Sequence, residues 1–586
     1  MFSVPDDPRL WSSPGRRPPA TLLSGRRAPA GLADGMQTSR RTILSAGLVT
    51  GSAALVGNLT LLDTRATAAS PRLPVDPFTL GVASGDPAPD GFVIWTRLAP
   101  SPLDDDGLGG MPARRYQVNW QVATDERFAD VVRAGAVAAG PESAHAVHVE
   151  VAGLLPGREY HYRFRVGPWL SGTGRSVTTP ALGAAVSSLS MAFVSCSNYP
   201  AGYFTAYRHL AEERPDLILH LGDYQYEGGA AANTLGRPHI GPETKTLANY
   251  RQRQALYKSD PDLQLAHAAA PWLAVWDDHE VDNNYADEIA DRAVEQPGFV
   301  ERRAAAYLAY YENMPLRRTS VPSGPDLQLF RRVAWGNLAN FHMLDTRQYR
   351  SDQACGDGYK DCPDAADPAR SLPGLAQEQW LLDGFAQSTA TWDLLGQQVF
   401  FGRRDNDPGA ATTVSMDAWD GYPASRDRVV QGWVDTGVRN PVVLTGDVHA
   451  CWASDVLADY ADPASPVLGS ELVTTSITSG GNGYDSPTGE HPWSAWNPNI
   501  RFWTNLRGYV STTITPESLT ADFRCVRQVT VPDSEVFTRT SFVIADGVRG
   551  LQQVADNPLP ADSGARRRLP DDAQIIEDTI REETGG

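Results

Sequence analysis

Cysteine is scarce in this chain: five in 586 residues are too few for a disulfide scaffold. Cys355 and Cys362, in CGDGYKDC, sit in a polar loop at a spacing that closes a small ring, and a disulfide is expected there. Zinc is the rival for this pair, but no second pair with ligand spacing lies nearby. Cys451 and Cys525 lie in strand-like contexts and read as core thiols. Positive charge is also short. With 51 Lys and Arg against 70 Asp and Glu the net charge is -19, and no basic cluster stands beyond the leader, which argues against specific nucleic-acid binding. A phosphate substrate stays compatible with this balance if metal ions supply positive charge locally. No long apolar loop or basic amphipathic helix points to lipid. The Trp-rich HPWSAWNPNIRFW, His491 to Trp503, either packs a core, the simpler reading, or lies at a site mouth where it could touch a bilayer.

A chain that is 41% hydrophobic and 21% charged has apolar surface enough for two or more globular domains. Residues 1–68 read as an upstream extension and signal peptide. Ser39-Arg40-Arg41-Thr42-Ile43-Leu44 is a twin-arginine pattern, the run from Ile43 to Leu62 carries no charge, and Ala66-Thr67-Ala68 offers a small-residue cleavage site. A membrane anchor is the alternative, since the run is nearly long enough to span a bilayer. Twin-arginine export machinery carries folded proteins, which suits a chain that takes up a cofactor before leaving the cytoplasm. The expected destination is therefore the cell envelope or the exterior.

From 69 to 184, short alternating segments such as YQVNWQVA, HAVHVEV and YHYRFRVG are separated by Gly, Pro and Asp, the cadence of a β-sandwich. From 185 to 550 strands alternate with helices, the pattern of an α/β domain. Residues 551–586 read as a polar C-terminal tail, and the chain is expected to be monomeric.

Five apolar runs in the α/β region end in polar groups. SLSMAFVS leads to Cys196, LILHLG to Asp223, PWLAVW to Asp277, Asp278 and His279, LANFHMLD to Asp345 and Arg347, and PVVLTG to Asp447 and His449. One such ending is a capped turn as readily as a site; five together point to a ligand cleft at the carboxyl ends of the strands. Cys196 as thiolate and Tyr226 as phenolate favour ferric iron (Fe3+), with His449 as nitrogen ligand and Asp223 bridging to a second cation. Asp278, Asp447 and an Asn are oxygen donors suited to calcium (Ca2+), magnesium or manganese rather than zinc. Asn283 is assigned to that cation and Asn284 to catalysis, with the exchange of the two open. His279, beside Asp278, is placed to donate a proton, the alternative being a capping histidine. Arg347 is the first candidate for a donor to phosphoryl oxygens, the alternative being a structural ion pair.

FVSCSNYPAGYFTAYRHLAEERPDLILHLGDYQYE, WDDHEVDNNYADE, LDTRQYRSDQ, MDAWDGYP, LTGDVHACWASDV and RGYVSTTITPESLTADFR together resemble the PhoD-type alkaline phosphatase family, over about residues 75–550. The resemblance implies a fibronectin-like all-β sandwich followed by an α/β four-layer αββα metallophosphoesterase domain that holds iron and calcium. It also implies hydrolysis of small phosphomonoesters and phosphodiesters by attack of a metal-bound hydroxide on phosphorus. Relative to the general metallophosphoesterase pattern, Ser195-Cys196-Ser197 replaces Asp-x-His, Asp277-Asp278-His279-Glu280 replaces Gly-Asn-His-Glu, and Gly446-Asp447-Val448-His449 replaces Gly-His-x-His. Leu372-Pro373-Gly374 and the stretch from Phe400 to Thr413 depart from the family at the rim of the site, where substrate choice is made. Phospholipid head groups are the alternative substrate. A noncatalytic, metal-stabilised binding protein is the reading from another class, and it does not require Cys196, Asp223, Tyr226, Asp278, His279, Asp447 and His449 to occur together.

Overall fold

Alternate residues along two short strands enter two different cores. In Trp392–Gly396, Leu394 packs with Ile218 and Phe341, while Leu395 packs with Phe385 and Val429; in Pro441–Thr445, Val442 and Leu444 take the first side and Val443 the second. Every residue of both strands is buried, the state of parallel strands covered on both faces. The computed structural model describes residues 73–231, 235, 237–462, 464–560 and 570–584. The leader with its twin-arginine pattern lies outside the described residues.

The strands at issue belong to two sheets. One has eight strands, with Ala339–Met343, Trp392–Gly396, Pro441–Thr445 and Val467–Val473 parallel at its centre. The other has ten, with Leu189–Val194, Leu217–Leu221 and Pro271–Val275 parallel to one another. Side chains of both sheets interleave in one shared core. Helices Leu375–Gln387 and Pro423–Thr436 cover the other face of the eight-stranded sheet through Leu381, Phe385, Val429 and Trp433. Helices Thr205–Glu212, Leu247–Lys258 and Phe299–Asn313 contribute Tyr207, Leu210, Tyr250, Tyr257, Tyr307 and Tyr310 to the core of the ten-stranded sheet. The five polar endings read from the sequence thus fall at the carboxyl ends of strands in both sheets. Ser195 bridges to Ser476, tying one sheet to the other beside the cleft.

The N-terminal segment is built from strands, as its cadence implied, but one of its layers is not separate. Val82–Ala88 pairs in parallel with Pro271–Val275, so Val82–Ala88, Gly91–Arg97 and Ala146–Val151 form the end of the ten-stranded sheet. A five-stranded sheet faces them across a core that includes Phe92, Ile94, Val118, Val122, Tyr162 and Phe164. Through that pairing the N-terminal strands join the same compact unit as the rest of the described residues, Thr67–Gly586.

The stretch read as a polar tail is also part of the fold. Gln552–Asp556 adds the edge strand of the ten-stranded sheet, and Asp572–Glu583 is a helix whose Ile575 is buried against Trp452, Trp493 and Trp503, with Ile576 and Ile580 packed alongside. Its apolar residues recur at helical spacing within a charged segment, so composition alone hid the buried face. Trp493 and Trp503 are fully buried, which gives the Trp-rich stretch its core-packing role. Among the described residues no helix is long and apolar enough to cross a membrane.

The junction of the N-terminal strands with the rest of the ten-stranded sheet depends on a close backbone approach at Gly85. A Cβ there would lie 2.6 Å from the Pro315 carbonyl oxygen and 2.8 Å from that of Trp272. Gly85→Ala should therefore destabilise the protein by about 1–3 kcal/mol through overpacking. The measurement is the denaturant midpoint, which should fall with an unchanged slope; an unaltered midpoint would mean that the two segments separate there without cost.

Candidate metal centre

Five of the sequence-predicted site residues have a backbone that L-residues rarely adopt: Cys196 (φ 60°), Asp223 (55°), Asn284 (47°), Asp447 (65°) and His449 (53°). Such conformations persist where the surrounding structure over-determines them, and they cluster at functional sites. Part of that determination is Glu280. Its carboxylate accepts the backbone N–H of Asp223 (3.1 Å), Tyr224 (2.6 Å) and Asp277 (2.9 Å), holding the loops after two adjacent strands together. Gly222 permits the approach, because a Cβ there would sit 2.4 Å from Cβ of Asp277 and its φ is 109°.

The side chains then converge. Tyr226 donates its hydroxyl to Asp223 Oδ2 at 2.9 Å, accepts from Ser479 Oγ at 2.7 Å, and its oxygen lies 3.0 Å from His449 Nε2. Cys196 Sγ donates to Ser195 Oγ at 3.1 Å and lies 3.7 Å from the Asp447 carbonyl oxygen. Cys196, Asp223 and His449 present ligand atoms within 4.8 Å of one another; so do Asp223, Asp278 and His279, and so do Asp277, Asp278 and Asp447. Asp223 joins the first group to the second, and Asp278 the second to the third. A further carboxylate group, Glu243, Asp282 and Glu295, is occupied by Arg302, Lys245 and Arg292.

The electrostatics of the cleft fit cations. Asp223 Oδ1, Asp277 Oδ2 and Asp278 Oδ1 are buried with no hydrogen-bond partner. Burial pushes Asp223 well above the usual carboxylate range; His279 opposes this, and Asp278, Asp277 and Glu280 add to it. Burial, with Asp277 next against the pull of Arg347, does the same to Asp447. Burial and the Asp223 carboxylate push the Cys196 thiol and the Tyr226 phenol up as well. Acids so crowded ionise together only when positive charge is supplied. His449 goes the other way: burial, Arg507 and His279 lower it to about 3, which leaves the neutral imidazole that a metal requires. A thiol, a phenol and an imidazole gather around one carboxylate, with further carboxylates and an amide beyond it, so the cleft offers two donor sets of different chemistry side by side.

Arg347 is fully buried and pairs with Asp277 through Nε and with Asp417 through Nη1 at 2.9 Å, while Nη2 is 3.8 Å from Asp278 Oδ1. This is the ion-pair arrangement named above as its alternative. Asn284 is buried and donates its backbone N–H to Asp278 Oδ2 at 2.7 Å; Asn283 is half-buried and donates its own to Glu227 Oε1. Glu227 was missed in the sequence although it directly follows Tyr226. It is 2.8 Å from His279 Nδ1. Burial alone would lower His279, but Glu227, Asp278 and Asp223 outweigh it and hold the ring charged well above the usual histidine range. Asp417, which lies in the quoted MDAWDGYP, carries no local mark of its role and is visible only once Arg347 and Arg350 are seen to meet on it.

Residues 191–523 match the family described as PhoD-like phosphatase, and residues 64–180 match its N-terminal domain. The chain belongs to the PhoD-like phosphatase family. It is 49% identical over 496 residues to alkaline phosphatase D of Bacillus subtilis (strain 168), covering 84% of this chain and 85% of that protein. A solved structure described as the structure of PhoD superposes with a TM-score of 0.82 at 47% identity, covering 88% of this chain and 99% of the other.

Glu280 accounts for much of the loop geometry in this PhoD-like site. Glu280→Ala leaves three buried N–H groups unpaired, at a cost on the order of 1–3 kcal/mol each. Purified Glu280→Ala protein should show a lower denaturation midpoint and reduced metal content by elemental analysis, with Glu280→Gln intermediate. Full metal content in Glu280→Ala would mean that the strained loops hold without it.

Proposed function

We propose that this chain is an exported phosphoesterase of the alkaline phosphatase D type, hydrolysing small phosphomonoesters and phosphodiesters with iron and calcium. The observation that carries the reading is the pair of ligand groups joined at Asp223, one with the Cys196 thiol and the His449 imidazole, the other with the Asp278 carboxylate and the His279 imidazole. Family membership and the Bacillus subtilis relative support the activity. In this reading Cys196, Asp223, Tyr226 and His449 hold Fe3+, and Asp223, Asp278, Asp447 and an Asn hold Ca2+. The two packed sheets with their helices are the αββα domain, and the N-terminal strands are the fibronectin-like module. Export by the twin-arginine route rests on residues 39–68 alone, and a monomer is assumed.

Bound there, the cations would supply the positive charge that activates water and neutralises phosphoryl oxygens. The chain's own residues do the rest. Glu227 holds His279 through Nδ1, so that in this reading Nε2 carries the proton given to a leaving oxygen. Arg347 keeps Asp277 and Asp417 in place and offsets part of the negative charge. Asp223, pushed up by burial, would be held ionised between the two groups by the charge of the bound cations.

The test is a panel of a simple monoester, a simple diester and phosphatidylcholine, with and without a calcium chelator. Monoester and diester turnover should be lost in chelator while iron stays bound, because thiolate, phenolate and imidazole hold it harder than oxygen donors hold calcium. Unchanged turnover in excess chelator contradicts the mixed-metal reading. Preferential cleavage of phosphatidylcholine moves the substrate to phospholipid head groups.

The proton donor is tested separately. His279→Ala should keep both metals and lose about 10²–10⁴-fold in turnover, the range of general acid catalysis. Esters with acidic leaving groups should lose much less. Asp223→Ala should lose metal and all activity together. Equal slowing of good and poor leaving groups in His279→Ala makes that histidine structural.

A further inference from the structure

The disulfide between Cys355 and Cys362, seven positions apart, closes a loop that reaches the metal cleft. Its Asp357 Oδ2 lies 2.8 Å from Nδ2 of Asn284. Asn284 is held at every other polar point of its backbone as well: its N–H donates to Asp278 Oδ2 at 2.7 Å, and its carbonyl accepts from Gln353 Nε2 at 2.7 Å. Gln353 also donates to Asp417 Oδ1 at 2.8 Å, and Tyr359–Lys360 pair with Val414–Ser415, so the loop is fixed just before the disulfide ring and again within it.

An asparagine amide has two unlike ends. A carboxylate only accepts hydrogen bonds, so Asp357 takes the NH2 end and leaves the oxygen as the end turned away from it. Flipping the amide would set its oxygen lone pairs against the carboxylate. A hard cation binds the amide oxygen and is repelled by the NH2 hydrogens. The orientation of this one amide therefore decides whether Asn284 is a ligand or a hydrogen-bond donor to substrate.

We infer that Asp357 is the positioning residue that orients the Asn284 amide as an oxygen ligand on the Asp278 side of the centre, and that the Cys355–Cys362 disulfide holds Asp357 there. This exchanges the roles first assigned to Asn283 and Asn284, and it rests on the calcium reading above. It also gives the disulfide loop, which the catalytic reading leaves without a task, a place in metal binding.

Calcium binding is measured by isothermal titration calorimetry on full-length protein stripped with a calcium chelator, alongside iron content by elemental analysis. Asp357→Ala should weaken calcium by about 10–100-fold, the range for outer partners of metal ligands, with iron content unchanged. Asp357→Asn, which keeps an acceptor oxygen, should lose less. Asn284→Ala should lose at least as much as Asp357→Ala, and the double variant should lose no more than Asn284→Ala, because the two act through one contact. The double variant Cys355→Ser/Cys362→Ser should shift calcium in the same direction with iron retained. Wild-type calcium affinity in Asp357→Ala, additive losses in the Asp357/Asn284 double variant, or joint loss of iron and calcium in Asp357→Ala would each overturn the inference. A wild-type protein that binds no calcium removes the calcium reading itself, and the inference falls with it.

Discussion

Four carboxylates, Asp223, Asp277, Asp278 and Asp447, converge where two sheets meet, and three of them are almost wholly buried. Burying an ion without compensation costs on the order of several kcal/mol, so the four ionise together only where positive charge balances them. Arg347 supplies some of that balance from below. It spans Asp277 and Asp417 and, with His279, holds Asp278 low against the opposing effect of burial. Asp223 and Asp447 remain pushed up by burial and the neighbouring carboxylates, Asp447 despite the pull of Arg347. The protein's own cations thus balance only part of the negative charge gathered in the cleft.

The backbone bears the cost of this convergence. Strands that end side by side can aim several side chains at one point only if the chain turns sharply after each, hence the positive φ at Cys196, Asp223, Asp447 and His449. Glu280 stabilises these turns by accepting N–H groups from two of the loops, in a site so buried that the acid itself is raised to about 8. The C-terminal helix supports the same region from outside. Arg507 donates to the His449 carbonyl oxygen and pairs with Glu582, and Arg404 and Tyr359 both reach Glu583. Side chains from residues 196 to 583 are therefore coupled through one cleft.

Much of this was legible in the residues themselves. Apolar runs of strand length ending in Cys196, Asp223, Asp278 and Asp447 place those groups at strand ends, because a buried parallel strand must be apolar on both faces and can carry chemistry only where it stops. Donor types alone distinguish a set with thiol, phenol and imidazole from a set of carboxylates. The Cys355–Cys362 disulfide followed from spacing in a polar loop, and Cys451 and Cys525 are indeed buried free thiols.

What the tertiary structure decided concerns partners far apart in the chain, for which local pattern carries no signal. Arg347 could donate to substrate or pair with a carboxylate, and only folding brings Asp277 and Asp417 against it. Glu227 lies one residue from Tyr226, yet its role appears only when His279 arrives from another strand. The last residues are charged enough to read as a tail, and become a docked helix because Trp452, Trp493 and Trp503 present an apolar surface that Ile575 can cover. Sequence determined which groups stand at the strand ends, since periodicity and side-chain chemistry are local. Which of them share a charge, a proton or an amide depended on contacts that exist only after the two sheets have packed.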